Sequence, residues 1–406
     1  MAQTTSDGDG SALVSAPGAR GESILFSMTR RAALRRWLAR VGLLVAGSLI
    51  ALLLAELAVR TLLPEYRALR TDRAMWRYDS TLGWITRAHF DGQQSFGGKQ
   101  RVAVRTNSLG FRDAEPGPAA PGQSRVLVLG DSFAFGYGVT VDERITEALE
   151  RHSEGRVDAA NLGVTGYSTD QELLVLRRFG ERYAPDVVVV MYTGNDPRGN
   201  ARPVGSGHPK PIFEIRGDAL ELNNVPVPSS NSVRRIKYTL ARHSALFNLA
   251  REQFGGLTRR VGLNRLLLDE RVAGDGGPGV GESDRARRIT RRLILQLQQE
   301  AQAIGARFLV LVCAPAAELR PTLRANADLV TWCAEAGVAC VDTAADFLES
   351  FERLPERELH QADRHHWTAE GHDIAARRLL AAMRALGWLP GEPEPARSGA
   401  SAEEGG

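Results

Sequence analysis

The sequence predicts an open α/β domain with a mostly parallel five-stranded sheet, preceded by one apolar helix near the N-terminus. Three observations support this prediction. From Arg125 onward, short apolar runs alternate with stretches of helical length, a pattern typical of a parallel sheet covered by helices on both faces. Three of these runs are followed directly by small or polar residues, where open α/β sheets carry their sites. The segment Val41–Val59 is almost uninterrupted in its apolar character.

Length and composition exclude some classes of protein. The chain has 406 residues, of which 43% are hydrophobic, enough for one large domain or two small ones. The net charge of +3 does not describe a basic binding face, because much of it lies in one cluster of arginines between positions 30 and 40. A nucleic-acid binder needs basic side chains spread along a groove or helix. No such pattern is present, so we expect no nucleic-acid partner.

The N-terminal region is interpreted as a membrane anchor. Residues 1–40 are expected to be a largely disordered cytoplasmic tail, and residues 41–62 a transmembrane helix, since a span needs about 20 apolar residues. Basic residues resist export, so the domain after the helix is expected outside the cell membrane, in the periplasm or beyond. A cleaved signal sequence is the main alternative, although no clear Ala-x-Ala site follows. Met28-Thr29-Arg30-Arg31 resembles the opening of a twin-arginine signal, and Met28 is a second candidate start.

Residues 63–124 are expected to connect the anchor to the main domain. Their periodicity is weak, with a short extended piece at Arg101–Val104. The run Asn107 to Arg112 is typical of a turn followed by an anchoring aromatic residue, Phe111.

The main domain is assigned to residues 125–390, with an insertion at 198–281 and a polar tail at 391–406. The predicted strands are Arg125–Leu129, Val157–Leu162, Asp186–Tyr192, Arg307–Cys313 and Val338–Asp342. The predicted helices are Asp142–His152, Ser168–Arg182, Ser283–Ile304, Asn326–Ala336 and a last one capped by Thr368 that runs to about Leu386, with Ala375, Leu379, Met383 and Leu386 on its apolar face. The insertion is expected to be a lid or substrate-binding element, with a hairpin at Ile212–Leu222 and short helices near Val233–Ala241 and Ser244–Gln253.

The polar residues after the strands suggest acyl transfer. Ser132 follows the first strand, and a serine hydroxyl becomes a good nucleophile only when a base removes its proton. His366 is the candidate base, and Asp363, three residues earlier, is the candidate carboxylate that orients it. The backbone N–H groups of Ser132 and Gly163 and the amide of Asn195 are candidate donors to the oxyanion.

Each of these pieces alone is more often structural than catalytic. Gly-Asp-Ser after a strand is a common helix cap, and Gly-Asn-Asp is a common turn. Their occurrence in one order, each at a strand end, is much rarer. There is no G-x-S-x-G sequence, so the nucleophile elbow of the α/β-hydrolase fold is not supported.

Together, Gly130-Asp131-Ser132, Gly163, Asn195 and Asp363-x-x-His366 resemble the four sequence blocks of the SGNH (GDSL-type) hydrolase superfamily. The resemblance covers about residues 125–386 without the insertion. It implies a flavodoxin-like three-layer α/β/α fold and a Ser–His–Asp hydrolase with no metal or cofactor. The chain departs from the family at Thr193, where a glycine is usual, and His365 beside His366 leaves the choice of base open, although the spacing from Asp363 favours His366.

The expected function is that of a serine esterase acting on O-acyl esters, with an envelope carbohydrate as a candidate substrate. The anchor and the turn at Asn107–Arg112 resemble a bacterial envelope branch of the superfamily, which includes polysaccharide O-acyl esterases and acyltransferases. An O-acyltransferase acting on an exopolysaccharide or cell-envelope glycan is therefore one alternative, and a non-catalytic glycan-binding envelope protein is another.

Two further alternatives concern metals and thiols. His360, Asp363, His365, His366 and His372 are of zinc-ligand types, but no H-E-x-x-H sequence is present and the serine pieces would be unexplained, so no metal is expected. Cys313, Cys333 and Cys340 form no CxxC pair. Cys333 and Cys340 flank a short turn and could bridge in an oxidising compartment, although three buried thiols are favoured.

Overall fold

A computed structural model describes residues 19–63, 75–96, 100–229, 240, 243–250, 280–313, 319–361 and 365–391. The chain divides into two units, Met1–Leu63 and Pro64–Gly406. The predicted helix near Val233–Ala241 falls almost entirely outside the described residues, as does Asp363.

The first unit contains one long helix, α1 (Ala19–Leu62). Its part from Arg35 to Leu62 is long and apolar enough to cross a membrane, although a signal sequence would pass the same test. The helix already begins at Ala19, within residues 1–40, which were expected to be a largely disordered tail. The physical reason is composition: alanine, leucine and arginine, which dominate residues 30–40, are strong helix formers.

The second unit is built on a parallel sheet of five strands. These are β5 (Ser124–Gly130), β6 (Val157–Asn161), β7 (Val187–Tyr192), β12 (Arg307–Val312) and β13 (Ala339–Asp342). Their order across the sheet is β13-β12-β7-β5-β6, which is the flavodoxin-like order, and the chain reverses direction across the sheet between β5 and β7. The predicted fold is therefore confirmed, and each predicted strand is present.

Helices cover both faces of this sheet. One core contains Leu127 and Leu129 of β5 and is covered by α4 (Thr169–Tyr183), α6 (Val280–Ala303) and α7 (Leu319–Glu335). The other contains Val126 and Val128 and is covered by α3 (Ile145–His152), α8 (Ala344–Phe351) and α10 (Ala369–Ala385). Successive side chains of a strand point to opposite faces, so one apolar run supplies both cores.

Several helix boundaries differ from the prediction, among them the start of α7 and the end of α10. Helix α7 begins at Leu319 rather than Asn326, because Pro321 falls in its first turn, where proline is tolerated. Helix α10 ends at Ala385, and Leu386 at its C-cap is 36% exposed rather than part of the apolar face. The predicted cap is present, since Thr368 Oγ1 accepts a hydrogen bond from Gly371 N at 3.4 Å.

Antiparallel hairpins precede and interrupt the main sheet. Before it lie β1 (Trp76–Asp79) with β2 (Gly83–Thr86), and β3 (Asp91–Phe96) with β4 (Gln100–Arg105). The sequence indicated only the extended piece at Arg101–Val104, because strands this short carry little pattern. Within the insertion lie β8 (Val204–Gly205) with β9 (His208–Pro209), and β10 (Ile212–Arg216) with β11 (Ala219–Asn223). The last pair is the predicted hairpin.

The three cysteines are free thiols in the structure. Cys313 and Cys333 are buried, and Cys340 is half-buried.

Candidate active site

The loop after β5 places Ser132 at the carboxyl edge of the sheet, and we call residues 130–139 the nucleophile loop. Asp131 caps the short helix α2 (Ser132–Phe135), since its Oδ1 accepts a hydrogen bond from Phe133 N at 2.9 Å. Gly136 ends the helix in the left-handed region at φ +72°, which glycine adopts without strain. Ser132 itself is only half-buried.

His366 lies directly against Ser132. The distance from His366 Nε2 to Ser132 Oγ is 2.8 Å, within the range that proton transfer needs. His365 does not make this contact, and its ring centroid lies 4.9 Å from that of His366 in an edge-to-face arrangement. The structure therefore brings the histidine of the Asp-x-x-His spacing to the serine. The proposed carboxylate, Asp363, lies outside the described residues.

The described residues Gln361 and His365–Trp367, which we call the base loop, contact the nucleophile loop. Gln361 Nε2 donates to Tyr137 O at 2.7 Å and to Trp367 O at 2.8 Å. Gln361 N donates to His366 O at 2.8 Å. The ring of Tyr137 lies 4.7 Å from that of His366. Sequence reasoning missed Gln361, because nothing in its surroundings distinguishes it from a surface glutamine.

Asn195 follows β7 and faces the nucleophile loop. Its Nδ2 lies 3.3 Å from Asp131 Oδ2, and its Oδ1 accepts a hydrogen bond from Thr193 Oγ1 at 2.7 Å. The Thr193 hydroxyl, at the place where the superfamily usually has glycine, also lies 3.3 Å from Asp131 Oδ2, so it contacts both the Asn195 amide and the Asp131 carboxyl group. Asp196 Oδ2 accepts from Thr193 N at 2.9 Å and closes the turn.

The loop after β6 differs from the expectation for Gly163. Its N–H donates to Asn161 Oδ1 at 3.0 Å, so the single hydrogen is already in use and the expected oxyanion donor is not available in this conformation. Gly163 instead permits close packing, because a Cβ here would lie 2.4 Å from Phe135 N. Gly166, which sequence reasoning passed over, has φ +80°, and its N–H makes no hydrogen bond within the described part of the chain.

Buried carboxyl groups lie beneath these loops. Glu172 and Asp196 are fully buried, and both oxygens of Glu172 lack a hydrogen-bond partner among the described residues. Burial raises the pKa of Glu172 well above its usual value, and the charge of Asp196 adds to this effect. Burial and the nearby Asp131 likewise raise the pKa of Asp196. We infer that Glu172 is a neutral acid, because an isolated buried carboxylate is very costly.

The other histidines of this region do not form a metal centre with described residues. Within the described ranges, no three histidine, cysteine or acidic side chains are close enough to hold a metal ion. His360 and His372 are buried. Burial lowers the pKa of His372 to about 3, so its imidazole is neutral, and it packs edge-on against Trp367 with ring centroids 5.6 Å apart.

Comparison with known proteins gives one sequence match. The model of the GDSL-like lipase/acylhydrolase family matches residues 128–374. No curated protein matches the chain. Solved structures that resemble it include a member of the lipolytic G-D-S-L family from Veillonella parvula (12% identical, covering 64% of this chain and 97% of that one, TM-score 0.35). Another is TesA, which is 16% identical, with 65% of this chain and 99% of that one covered and a TM-score of 0.35. A third is a catalytic mutant of an acetylxylan esterase from Geobacillus stearothermophilus, which is 15% identical, with 65% of this chain and 96% of that one covered and a TM-score of 0.35.

Proposed function

The chain belongs to the GDSL-like lipase/acylhydrolase family, and from that membership we propose that it is a serine esterase that cleaves O-acyl esters through Ser132. The family match confirms the resemblance drawn from the sequence blocks and makes the protein an esterase- or lipase-type hydrolase. The observation that carries the finer proposal is the 2.8 Å contact between Ser132 Oγ and His366 Nε2.

The proposed reaction has two steps. His366 Nε2 takes the proton of Ser132 as Oγ attacks the ester carbonyl, and the same proton then goes to the departing alcohol oxygen, which leaves an acyl-serine. Water, deprotonated by His366, attacks the acyl-serine and releases the acid while the proton returns to Ser132. Asp363 is the proposed partner that orients His366 and stabilises its cation.

The proposed oxyanion hole uses the Ser132 N–H and the Asn195 amide. The Asn195 Nδ2 contact with Asp131 is long at 3.3 Å, so transferring this donor to an oxyanion costs little. The third donor comes from the loop after β6. Because the Gly163 N–H is engaged with Asn161, we assign this role to Gly166 and assign to Gly163 the close packing of that loop against α2.

The test is to react the protein with a fluorophosphonate probe and to measure cleavage of p-nitrophenyl acetate. We expect the probe to label Ser132 alone, and Ser132→Ala to abolish both labelling and turnover with an unchanged melting temperature. Ser108→Ala, at an exposed serine, is the matched control and should behave as wild type. Labelling of a different serine would contradict the assignment, and an unlabelled, inactive wild type would favour the non-catalytic glycan-binding alternative.

The metal alternative is tested on the same assay. A serine mechanism needs no metal, so prolonged treatment with EDTA should leave turnover of p-nitrophenyl acetate unchanged. Loss of turnover that zinc restores would contradict the mechanism, since it would make the histidines ligands rather than bases.

For the substrate we propose an acyl ester of an envelope carbohydrate. The support is the N-terminal apolar helix together with the turn at Asn107–Arg112, which resemble the envelope branch of the superfamily. Hydrolysis and transfer share the acyl-serine and differ in whether water or a sugar hydroxyl attacks it. Incubation of an acetylated polysaccharide with the protein, with and without a deacetylated acceptor glycan, separates them. Free acetate in both samples supports the esterase, and acetate that appears on the acceptor supports the acyltransferase.

We further propose that α1 anchors the protein in a membrane with its N-terminus in the cytoplasm. The arginines that precede the apolar segment favour this orientation, because positive flanks resist export. Glu56, the one acidic residue between positions 41 and 62, pairs with Arg60 at 2.6 Å, which lowers the cost of placing it near the outer interface.

Reporter fusions and membrane extraction test this arrangement. A reporter that is active only after export should work when fused after Ala68 and stay silent when fused before Met28. The protein should also remain in the membrane pellet after alkaline carbonate washing. A soluble chain that begins near Leu57 or later would instead identify the apolar segment as a cleaved signal.

A further inference from the structure

Arg112 is an arginine buried in the main domain, with 1% of its surface exposed. Its guanidinium points at backbone carbonyls of the nucleophile loop. Nη1 donates to Phe135 O at 3.2 Å and to Gly136 O at 2.7 Å, and Nη2 donates to Val139 O at 2.8 Å. Nη2 also donates to Ala103 O of β4 at 3.1 Å. The side chain thus ties the exit of the serine's helix to the hairpin β3–β4.

No carboxylate forms a salt bridge with Arg112 in the residues that the structure describes. Burial, and the neighbouring charge of Arg144, lower its pKa to about 9, which still leaves it charged at neutral pH. A buried charge must be compensated by hydrogen bonds. Here Nη1 and Nη2 are compensated by carbonyl groups, including those at the C-terminal end of α2, which have no helical partners, while Nε has no partner among the described residues. Loosening these carbonyls would leave the guanidinium unsatisfied, so the arrangement resists displacement.

The next residue supports the other side of the same loop. Asp113 Oδ2 accepts a hydrogen bond from Asn161 N at 2.9 Å. The Asn161 side chain then donates to Ala134 O at 2.7 Å and accepts from Gly163 N at 3.0 Å. Through Arg112 and Asp113, one turn of the chain before β5 therefore contacts both the nucleophile loop and the last residue of β6, Asn161.

The aromatic residue of the loop is held from the same direction. Phe135 is fully buried in a small core with Met75 and Val104, and the Arg112 guanidinium lies 5.3 Å from the centre of its ring. All of these partners precede residue 128, where the match to the family begins. Asn161 and Gln361, inside the matched region, also bind carbonyls of the nucleophile loop, but the contacts of Arg112 and of the Phe135 core come from a segment before it.

We propose that Arg112 is a positioning residue for Ser132, and that its hydrogen bonds to the nucleophile loop are a working part of the active site. Arg112 does not touch substrate. It fixes the carbonyls of Phe135, Gly136 and Val139, and with them the direction of the helix whose first residue is the nucleophile. This inference rests on the proposed function of Ser132.

The test compares Arg112→Met and Arg112→Lys with a matched control, Arg105→Met. Arg105 lies in the same segment but its side chain is 80% exposed and pairs with Asp91 at the surface. For each variant, the number of functional sites is titrated with the fluorophosphonate probe, kcat and KM for p-nitrophenyl acetate are measured per titrated site, and the melting temperature is recorded. A displacement of about 1 Å at the reacting atom can cost roughly 10²-fold in rate.

We expect Arg112→Met to lower kcat per titrated site by about 10- to 100-fold with KM within about twofold of wild type. The kcat per titrated site of Arg112→Lys should lie between those of wild type and Arg112→Met. The reason is that one ammonium supplies three donors from a single point, whereas the guanidinium contacts Gly136 O and Ala103 O through two different nitrogens. A merely structural role would lower the melting temperature while leaving kcat per titrated site unchanged, and that result would overturn the proposal.

If Arg112→Met does not fold, Arg112→Lys decides: a reduced kcat per site supports positioning, and a wild-type value overturns it. Failure of the probe to label Ser132 in the wild type would be a different outcome. It would contradict the proposed function itself, and the inference would fall with it.

Discussion

The two loops that meet at the candidate site are held by different means. The nucleophile loop is almost entirely buried, and side chains from other segments bind its carbonyl groups: Arg112 holds those of Phe135, Gly136 and Val139. The base loop is half-exposed at His365 and His366. It is held by ring contacts with Phe133 and Tyr137 and by the hydrogen bonds of Gln361.

This difference matches the different requirements of the two reacting groups, the nucleophile and the base. A nucleophile must be preorganised before substrate arrives, and buried hydrogen bonds to charged groups supply the stiffness. A base must accept and return a proton. Partial exposure to solvent and a neighbouring carboxylate are both compatible with that role. Substitution of His365 or His366 should therefore affect chemistry more than stability, whereas substitution of Arg112, which binds the carbonyl groups of the nucleophile loop, should affect both.

The largest effect should come from the base loop. His366→Ala is expected to lower kcat by about 10³-fold or more, because serine, base and carboxylate act as a unit, while the melting temperature changes little. His365→Ala is the matched control and should cost much less. Measured kcat values in the reverse order would move the base to His365.

Asn195→Ala sharpens the comparison from the nucleophile side. The amide is proposed to bind charge that exists only in the transition state, so kcat should fall by roughly 10²- to 10³-fold with little change in KM. Asn223→Ala, in β11 of the insertion hairpin, is the control. Steady-state kinetics with p-nitrophenyl acetate decide, and an effect on KM alone would show that Asn195 contacts the ground-state substrate.

Gln361→Ala tests the connection between the two loops. It removes the donors to Tyr137 O and Trp367 O, and each unsatisfied carbonyl costs about 1–3 kcal/mol if it stays buried. We expect kcat to fall by roughly 10-fold, as for a modest displacement of His366, together with a lower melting temperature. A lower melting temperature at wild-type kcat would show that Gln361 only stabilises the fold.

Glu172→Gln should have the smallest effect on activity and a pH-dependent effect on stability. Because burial raises the pKa of Glu172, its contribution to stability is fully present below its unfolded pKa and is lost as the pH rises towards its folded pKa. Glutamine has the same shape and binds no proton. The melting temperature of the variant relative to wild type should therefore rise from pH 5 to pH 8, with kcat within about twofold. A difference that stays constant with pH would show that Glu172 is already charged.

The sequence predicted the strands that carry the candidate site residues. The apolar runs that became β5, β6 and β7 carry their own signal, since alternate side chains enter two cores. The residues just after such strands must meet at one edge of a parallel sheet. Ser132 and Asn195 were therefore expected at the same edge of the sheet. The spacing of Asp363 and His366 favoured His366, the histidine that lies 2.8 Å from Ser132.

What the sequence did not predict are contacts that run through the backbone. Gly163 was expected to donate to the oxyanion, but the direction of its N–H depends on the loop conformation, and it points at Asn161 Oδ1. Arg112 and Gln361 bind main-chain carbonyls, which every residue possesses, so no pattern of residue types marks their partners.

The sequence by itself thus determined the parallel sheet, the apolar N-terminal helix and the residue types that meet at the strand ends, because burial and strand direction are local properties of apolar runs. Only the tertiary structure decided how the nucleophile loop is held. Besides Asn161 and Gln361, its support comes from Arg112, Asp113 and the hairpin β3–β4, whose sequence is weakly periodic. Hydrogen bonds between distant segments form only when the complete fold brings donors to carbonyls, and for this reason the segment expected to be a connector is part of the site's support.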